Sequence, residues 1–359
     1  MTRTLIRNTQ DRTRNVFQAV SGKVIFLSLL FLPWSASSQE SAAKYLEDIQ
    51  APQAWKYLSD RRPHRKVDIG IINGGFFGLQ EAMADFGGRL KEIPSGGGNE
   101  SHGTVAAAIA AASRKSGRPG NVGINRTSEV HLGLGLYSSG LARSFGSMVK
   151  QGVKVINISL GDGRPATAGN GKCEEADAAL QLRFFRELAV MIHTANSFLG
   201  GGAGNFLVVV AAGNDDCDLG SDLGDVGKPG NLLIVGGSRD DALAAGSNKG
   251  SLIDIAAPYD IQRYYSHTEK TFSDYSGTSY AAPQVSGAAA LVWAFDPGLK
   301  SPDQVIERLK KTARYAIPEF GGAGVLDVHA ALTGRKAVVE KKVKKPPIRQ
   351  ETQRPERVY

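Results

Sequence analysis

Ser279 sits in the stretch GTSYAAPQVSGAAALV, at the head of a run of almost uniformly small side chains. A helix start offers unpaired N–H groups and a partial positive charge, so a hydroxyl there can act where an anion must form. The same position also suits a capping serine. His102, in SHGTVAAAIAA, opens a second small-residue helix. Its imidazole exchanges protons near neutral pH, the property a general base needs, although a histidine there also reads as a cap. Asn214 ends the apolar run VVVAAGN, where its amide could donate to a developing oxyanion. Asn73 ends VDIGIIN, directly before two glycines, at the kind of strand tip where α/β enzymes place reactive side chains.

The elements that must position these residues alternate along the chain. YLEDIQAPQAWKYL reads as a short helical lead-in. KVDIGII, EVHLGLGLY, VKVINISLG and NFLVVVAAGN read as strands. SHGTVAAAIAAASRKSG, LARSFGSMVKQG, EADAALQLRFFRELAVMIHTAN, GTSYAAPQVSGAAALVWAF and SPDQVIERLKKTAR read as helices. We place Pro283 in the first turn of its helix, where a missing N–H costs little. Such alternation predicts an α/β fold, a doubly wound parallel sheet flanked by helices on both faces. Chemistry in such sheets collects at the carboxyl ends of the strands, which brings Asn73, Ser159–Gly161 and Asn214 to one edge. The glycine-rich runs GLGLYSSG and GGGAGN lack phosphate-loop spacing and read as turns.

Composition narrows the function. The net charge of +8 is concentrated at the two ends. Arg3, Arg7, Arg12, Arg14 and Lys23 face only Asp11 over residues 1–38, and nine Lys/Arg face three Glu from Gly334 onward. The body between carries slightly more acid than base, so nucleic acid is not its expected partner. The basic start leads into VIFLSLLFLPW and then SASSQ, the pattern of an export signal over residues 1–38. The apolar run is too short to span a bilayer as a helix, so no stable membrane anchor is expected. The folded domain is placed at residues 39–334, and 335–359 reads as a basic, proline-containing disordered tail. Cys173 and Cys217 either pair, as an oxidising compartment would allow, or stay buried thiols. Neither cysteine suggests a metal site.

SHGT, VINISLG, VVVAAGN, IDIAAP and SGTSYAAPQVSGAAALV occur in that order. Together they resemble the subtilisin-like serine proteases (subtilases, peptidase S8) from about Tyr45 to Leu332. The resemblance implies peptide-bond hydrolysis through an acyl-enzyme, with Ser279 as nucleophile and His102 as general base. It implies an oxyanion hole made of Asn214 and the Ser279 N–H. It also implies a substrate cleft lined by Ser159, Leu160, Gly161, Ala212 and Gly213. The expected partner is a polypeptide substrate, and the expected location is the periplasm or outside the cell. No cofactor is expected; calcium is possible by resemblance alone, with no site identified.

One position departs from the pattern. The family's first catalytic block carries an aspartate where IINGG holds Asn73. Asp68 lies at the wrong end of the strand to replace it, and Asp85, in ADFGG, resembles a non-catalytic aspartate. An amide lacks the carboxylate's charge, and its NH2 could hold His102 in the wrong tautomer, a fault associated in other serine proteases with a loss of about 10⁴ in kcat. We therefore expect a slow protease, the alternative being an inactive pseudopeptidase that binds peptides or proteins. Two further expectations accompany this. Asn73–Gly74 is a sequence prone to deamidation, which would generate some aspartate. The few residues between the export signal and the lead-in helix leave no room for a folding-assistant pro-region.

Overall fold

The computed structural model describes residues 43–91, 101–114, 119–135, 137–160, 173–198 and 205–337. These fall in one compact unit, Ala42–Tyr359, with Met1–Ser41 a separate unit. The expected export signal lies outside the described residues, as does the tail beyond residue 337.

The lead-in forms two short helices, Lys44–Asp48 (α1) and Ala51–Tyr57 (α2). Strand Ile69–Asn73 (β1) follows, then Leu79–Ala82 (α3), Leu90–Lys91 (β2), His102–Ala111 (α4), Val130–Leu134 (β3), Tyr137–Lys150 (α5), Val155–Ile158 (β4), Glu175–Phe198 (α6) and Leu207–Ala211 (β5). The second half holds Leu232–Arg239 (β6), Ala242–Leu243 (β7), Ile255–Pro258 (β8), the hairpin Asp260–Ser266 (β9) and Thr271–Ser276 (β10), then Thr278–Phe295 (α7), Pro302–Thr312 (α8) and Val328–Thr333 (α9).

One eight-stranded sheet runs β2-β3-β1-β4-β5-β6-β7, with β8 beside β6. Every pair is parallel except β6–β7. The chain leaves β1 for β3 on one side and crosses back to β4 on the other, so the order reverses at β1 and opens a crevice at its carboxyl end.

Alternate residues of each strand feed two separate cores. Ile69, Ile71, Val155, Leu207 and Val209 pack against the alanine-rich α4 and α7, while Ile72, Ile156, Ile158, Val208 and Val210 pack against α5 and α6. This two-sided burial explains why the strands read as continuous apolar runs. Alanines on α4 and α7 let both helices run close under the sheet, and their first turns reach the crevice.

Some boundaries differ from expectation. The run EVHLGLGLY stops being a strand at Leu134, and α5 begins at Tyr137. Helix α4 ends at Ala111, after which Ser113 makes an isolated bridge to Val122. Pro283 is not in the first turn of α7, which starts at Thr278, but inside the helix.

Cys173 and Cys217 pair, resolving the alternative left open above. The bond closes 44 residues between the start of α6 and the segment after β5. In the chain-entropy view, a loop of that length contributes about 4 kcal/mol.

Candidate active site

Asn73 is the last residue of β1 and is 1% exposed, so its amide must find partners within the protein. Its Oδ1 accepts from the Gly74 N–H at 2.8 Å, and its Nδ2 donates to the Ser159 carbonyl at 3.4 Å. A donor on one side and an acceptor on the other fix which way the amide faces. Oδ1 therefore points to His102 Nδ1, 2.9 Å away. An oxygen there calls for a proton on Nδ1, which leaves Nε2 as the acceptor. This corrects the expectation that the amide would impose the wrong tautomer. The geometry keeps the proton where a carboxylate would keep it, and only the negative charge is missing. The same hydrogen bond bears on deamidation. Ring closure needs the Gly74 nitrogen to turn toward the Asn73 side-chain carbon, whereas its N–H is committed to the neighbouring oxygen.

His102 opens α4, and the loop after β1 is drawn tightly against it. The Gly103 N–H donates to the Gly75 carbonyl at 2.9 Å, and a Cβ on Gly103 would lie 2.3 Å from that oxygen. Only glycine fits. Thr104 Oγ1 adds a bond to the Phe77 carbonyl at 2.9 Å. The imidazole lies 5.0 Å, centroid to centroid, from the Tyr280 ring, which brings it to the start of α7. Tyr275 and Tyr264 extend this row of rings at 5.4 and 5.6 Å, joining the β9–β10 hairpin to the site.

At that helix start, Asn214 Oδ1 accepts from the Thr278 N–H at 2.8 Å and from the Thr278 hydroxyl at 3.0 Å. Its oxygen is thus occupied, and Nδ2 has no acceptor among the described residues. The Tyr280 and Ala281 N–H groups turn back to the Gly277 carbonyl. Of the first-turn donors, the Ser279 N–H is left without an acceptor among the described residues, as helix geometry allows. Two free donors at one helix start can hold a developing negative charge. The loop carrying Asn214 is shaped by the fully buried Asn248. Asn248 accepts from the Asp215 and Cys217 N–H groups and donates to the Ala212 carbonyl. Gly213 passes beneath it at φ +101°, where a Cβ would stand 2.4 Å from Asn248 Nδ2.

Pro283 has a consequence for Ser279. A proline at that position cannot donate to the carbonyl four residues earlier, which belongs to Ser279. The Ser159 hydroxyl donates to that carbonyl instead, at 2.8 Å. Ser159 is itself held by Asn157 Nδ2 at 2.9 Å, and Asn157 Oδ1 accepts from Ser286 of α7 at 3.0 Å. At 2% exposure, Ser159 points its side chain into the protein, not into a cleft. Ala212 is fully buried as well, so from these two residues only backbone can face a ligand. Leu160 and Gly213 are half-buried at the same strand ends, and Gly161 lies outside the described residues.

The two aspartates considered as substitutes stay apart from this group. Asp68 precedes β1 at the opposite sheet edge. Asp85 is buried and accepts from His267 Nε2 at 2.8 Å and from Asn121 at 2.8 and 3.0 Å, tying the hairpin to the loop before β3.

The profile of the Subtilase family, Peptidase_S8, matches residues 80–343, most of the chain. The chain belongs to the subtilase family. The matched span begins after β1, so Asn73 falls just outside it. Similar proteins include subtilisin DY of Bacillus licheniformis, 29% identical over 74% of this chain and 90% of its own length. An extracellular protease of Xanthomonas campestris is 32% identical over half of this chain. Alkaline protease 1 of Emericella nidulans is 36% identical over 31% of it. The matches span only 28% and 27% of the lengths of these last two proteins. Among solved structures, the prenylagaramide maturation protease PagA superposes with a TM-score of 0.56, covering 79% of this chain and 98% of its own at 23% identity. A protease from Pseudoalteromonas arctica gives 0.54 over 79% and 93%. These likenesses establish the doubly wound fold.

This subtilase brings Asn73, His102, Asn214 and the backbone of Ser279 to one crevice, as its sequence suggests. Sequence reading missed the residues that hold them. Asn157 carries a usable signal, a carboxamide inside the otherwise apolar run VINI. Asn248, in GSNKG, carries none, because its value comes from contacts with a distant loop.

Proposed function

We propose that this subtilase is an exported serine endopeptidase that cleaves polypeptides through an acyl-enzyme on Ser279, slowed by the neutral Asn73. The observation that carries the reading is the 2.9 Å contact between Asn73 Oδ1 and His102 Nδ1, which orients the imidazole for base catalysis. In this mechanism His102 Nε2 removes the Ser279 hydroxyl proton as Oγ attacks the peptide carbonyl carbon. The resulting oxyanion accepts from Asn214 Nδ2 and the Ser279 N–H. The imidazolium then passes its proton to the departing amine, and water, deprotonated by the same ring, releases the acyl group. Asn73 supports the orientation but offers the imidazolium no opposite charge, so each proton-transfer step is slower than beside a carboxylate. The chain's own side chains carry the chemistry without a cofactor.

Extended substrate would lie along backbone groups near Ser159–Gly161 and Ala212–Gly213. Export to the periplasm or beyond agrees with the disulfide, which persists in oxidising compartments. Among the described residues no helix is long and apolar enough to cross a membrane.

A fluorophosphonate probe tests the reading on wild type, Ser279→Ala and Asn73→Asp. Slow labelling of wild type, lost in Ser279→Ala and accelerated in Asn73→Asp, is the expected pattern. Labelling confined to Asn73→Asp would mean a peptide-binding pseudopeptidase instead.

A further inference from the structure

Asp68, Glu129 and His131 meet at the amino-terminal edge of the sheet, the edge opposite the crevice. The register explains the meeting. Ile69 pairs with Val130 and Gly70 with His131, so Asp68 stands beside Glu129, with His131 one pleat further along the same face. Gly70, the neighbour of His131, has no side chain, and Met148 packs into the space this leaves, its Sδ 2.4 Å from where a Cβ would stand. Each of the three residues offers a ligand atom within 4.8 Å of the other two.

Their hydrogen bonding is incomplete. His131 is 8% exposed, yet neither ring nitrogen has a hydrogen-bond partner. Its Nε2 stands within ion-pair distance of Asp68 Oδ2, at 3.4 Å, but makes no hydrogen bond there, and Asp68 Oδ1 is buried and without a hydrogen-bond partner too. A buried imidazole with both nitrogens unsatisfied is costly and rare in native proteins. The only cations at the cluster among the described residues are two flexible lysines. Lys66 Nζ bridges Asp68 at 3.2 Å and Glu129 at 2.7 Å, and Lys91 touches Glu129 at 3.4 Å. Their side chains are 65% and 44% exposed, so either can swing into water. Lys66 neutralises carboxylates but leaves the imidazole unserved.

We propose that this cluster is a structural site for a divalent transition-metal ion of the zinc type, with Asp68, Glu129 and His131 as ligands and water as the fourth. An imidazole with two carboxylates suits zinc or cobalt, whereas calcium and magnesium favour all-oxygen sites. Tetrahedral zinc holds its donors about 3.3 Å apart at bond lengths of about 2.0–2.1 Å. Glu129, released by Lys66, would close in to that spacing, and its partly exposed position permits the movement. Asp68 immediately precedes β1 and Asn73 ends it, five residues on, about 16 Å at the usual rise of extended chain. The ion would pin β1 to β3 without touching the crevice.

The test uses the full chain without a histidine tag and does not depend on catalysis. Cobalt(II) titrated into wild type should give the visible spectrum of a tetrahedral site, saturating at one equivalent and bleached by zinc. Glu129→Gln should weaken binding at least about tenfold, and His131→Asn should abolish the spectrum. Lys66→Gln, by removing the competing ammonium, should tighten binding, an effect that a pure ion-pair network would not produce. Should His131→Asn fail to fold, Lys66→Gln at an exposed position and Glu129→Gln at a partly exposed one decide. No saturable spectrum in wild type or Lys66→Gln would overturn the site, and so would undiminished binding in a folded His131→Asn.

Discussion

The hydroxyl of Ser159 donates to the carbonyl of Ser279 across 2.8 Å, and Pro283 leaves that carbonyl open to receive it. A helix normally supplies the missing donor from its own backbone. Here a neighbouring strand supplies it, so the helix start that carries Ser279 is fastened to the end of β4. Ser159→Ala should strand a shielded carbonyl and cost about 1–3 kcal/mol of stability, read as a lowered denaturation midpoint. Adding Pro283→Ala, which restores an N–H in helical position, should recover part of that loss. If the double variant is no more stable than Ser159→Ala alone, the compensation does not exist.

Asn73 presents an oxygen to the imidazole but no charge. Asn73→Asp should therefore raise kcat with little change in KM, since the ring is already oriented. The gain should fall short of the roughly 10⁴ associated with a misplaced tautomer. A rate increase of the full 10⁴ would show that the amide faces the other way in solution. Peptide mapping of aged folded protein should find Asn73 intact, with conversion to aspartate appearing only after unfolding.

Asn214 keeps its oxygen on Thr278 and its NH2 toward the crevice. Asn214→Ala should lower kcat about 10²–10³-fold while leaving KM nearly unchanged, the signature of a donor used only as charge develops. A KM effect with kcat intact would instead make Asn214 a ground-state binding residue. Asn248→Ala, which touches no substrate in the proposed mechanism, should lower both stability and kcat because it frees the loop.

Asp260 is held below the usual carboxylate range. The main cause is its paired hydrogen bonds from Arg239, at 2.6 and 2.8 Å, against a smaller opposing effect of burial. Ser276 adds a further bond. A depressed folded-state value means that folding favours the ionised form. This contribution is complete above the ordinary value of 3.8 and is lost as pH falls through the lower folded value. Between about pH 5 and pH 2, wild type should lose more thermal stability than Asp260→Asn. Parallel melting profiles for the two proteins would show the pair to be unimportant.

The layers of this fold were legible because burial on both faces leaves an unbroken apolar run, as in VVVA of β5, and small-sided helices announce close packing. Asn73, His102, Ser279 and Asn214 could be placed because strand and helix ends follow directly from those runs. The β9–β10 hairpin was not legible: TFSDYS is largely exposed and has no apolar face to betray it. The orientation of Asn73 was not legible either, because it depends on one carbonyl 86 positions away, at Ser159. Pro283 was misplaced for a related reason. The helix begins where Asn214 takes the Thr278 N–H, a tertiary event that local spacing cannot reveal.

Cys217 follows Asn214 by three positions, and its bond to Cys173 anchors the loop that presents the carboxamide. A thiol reagent in an assay buffer would therefore slacken an element of the proposed reaction centre, not a remote fastening. Turnover measured with and without reductant should differ for that reason before any unfolding is visible.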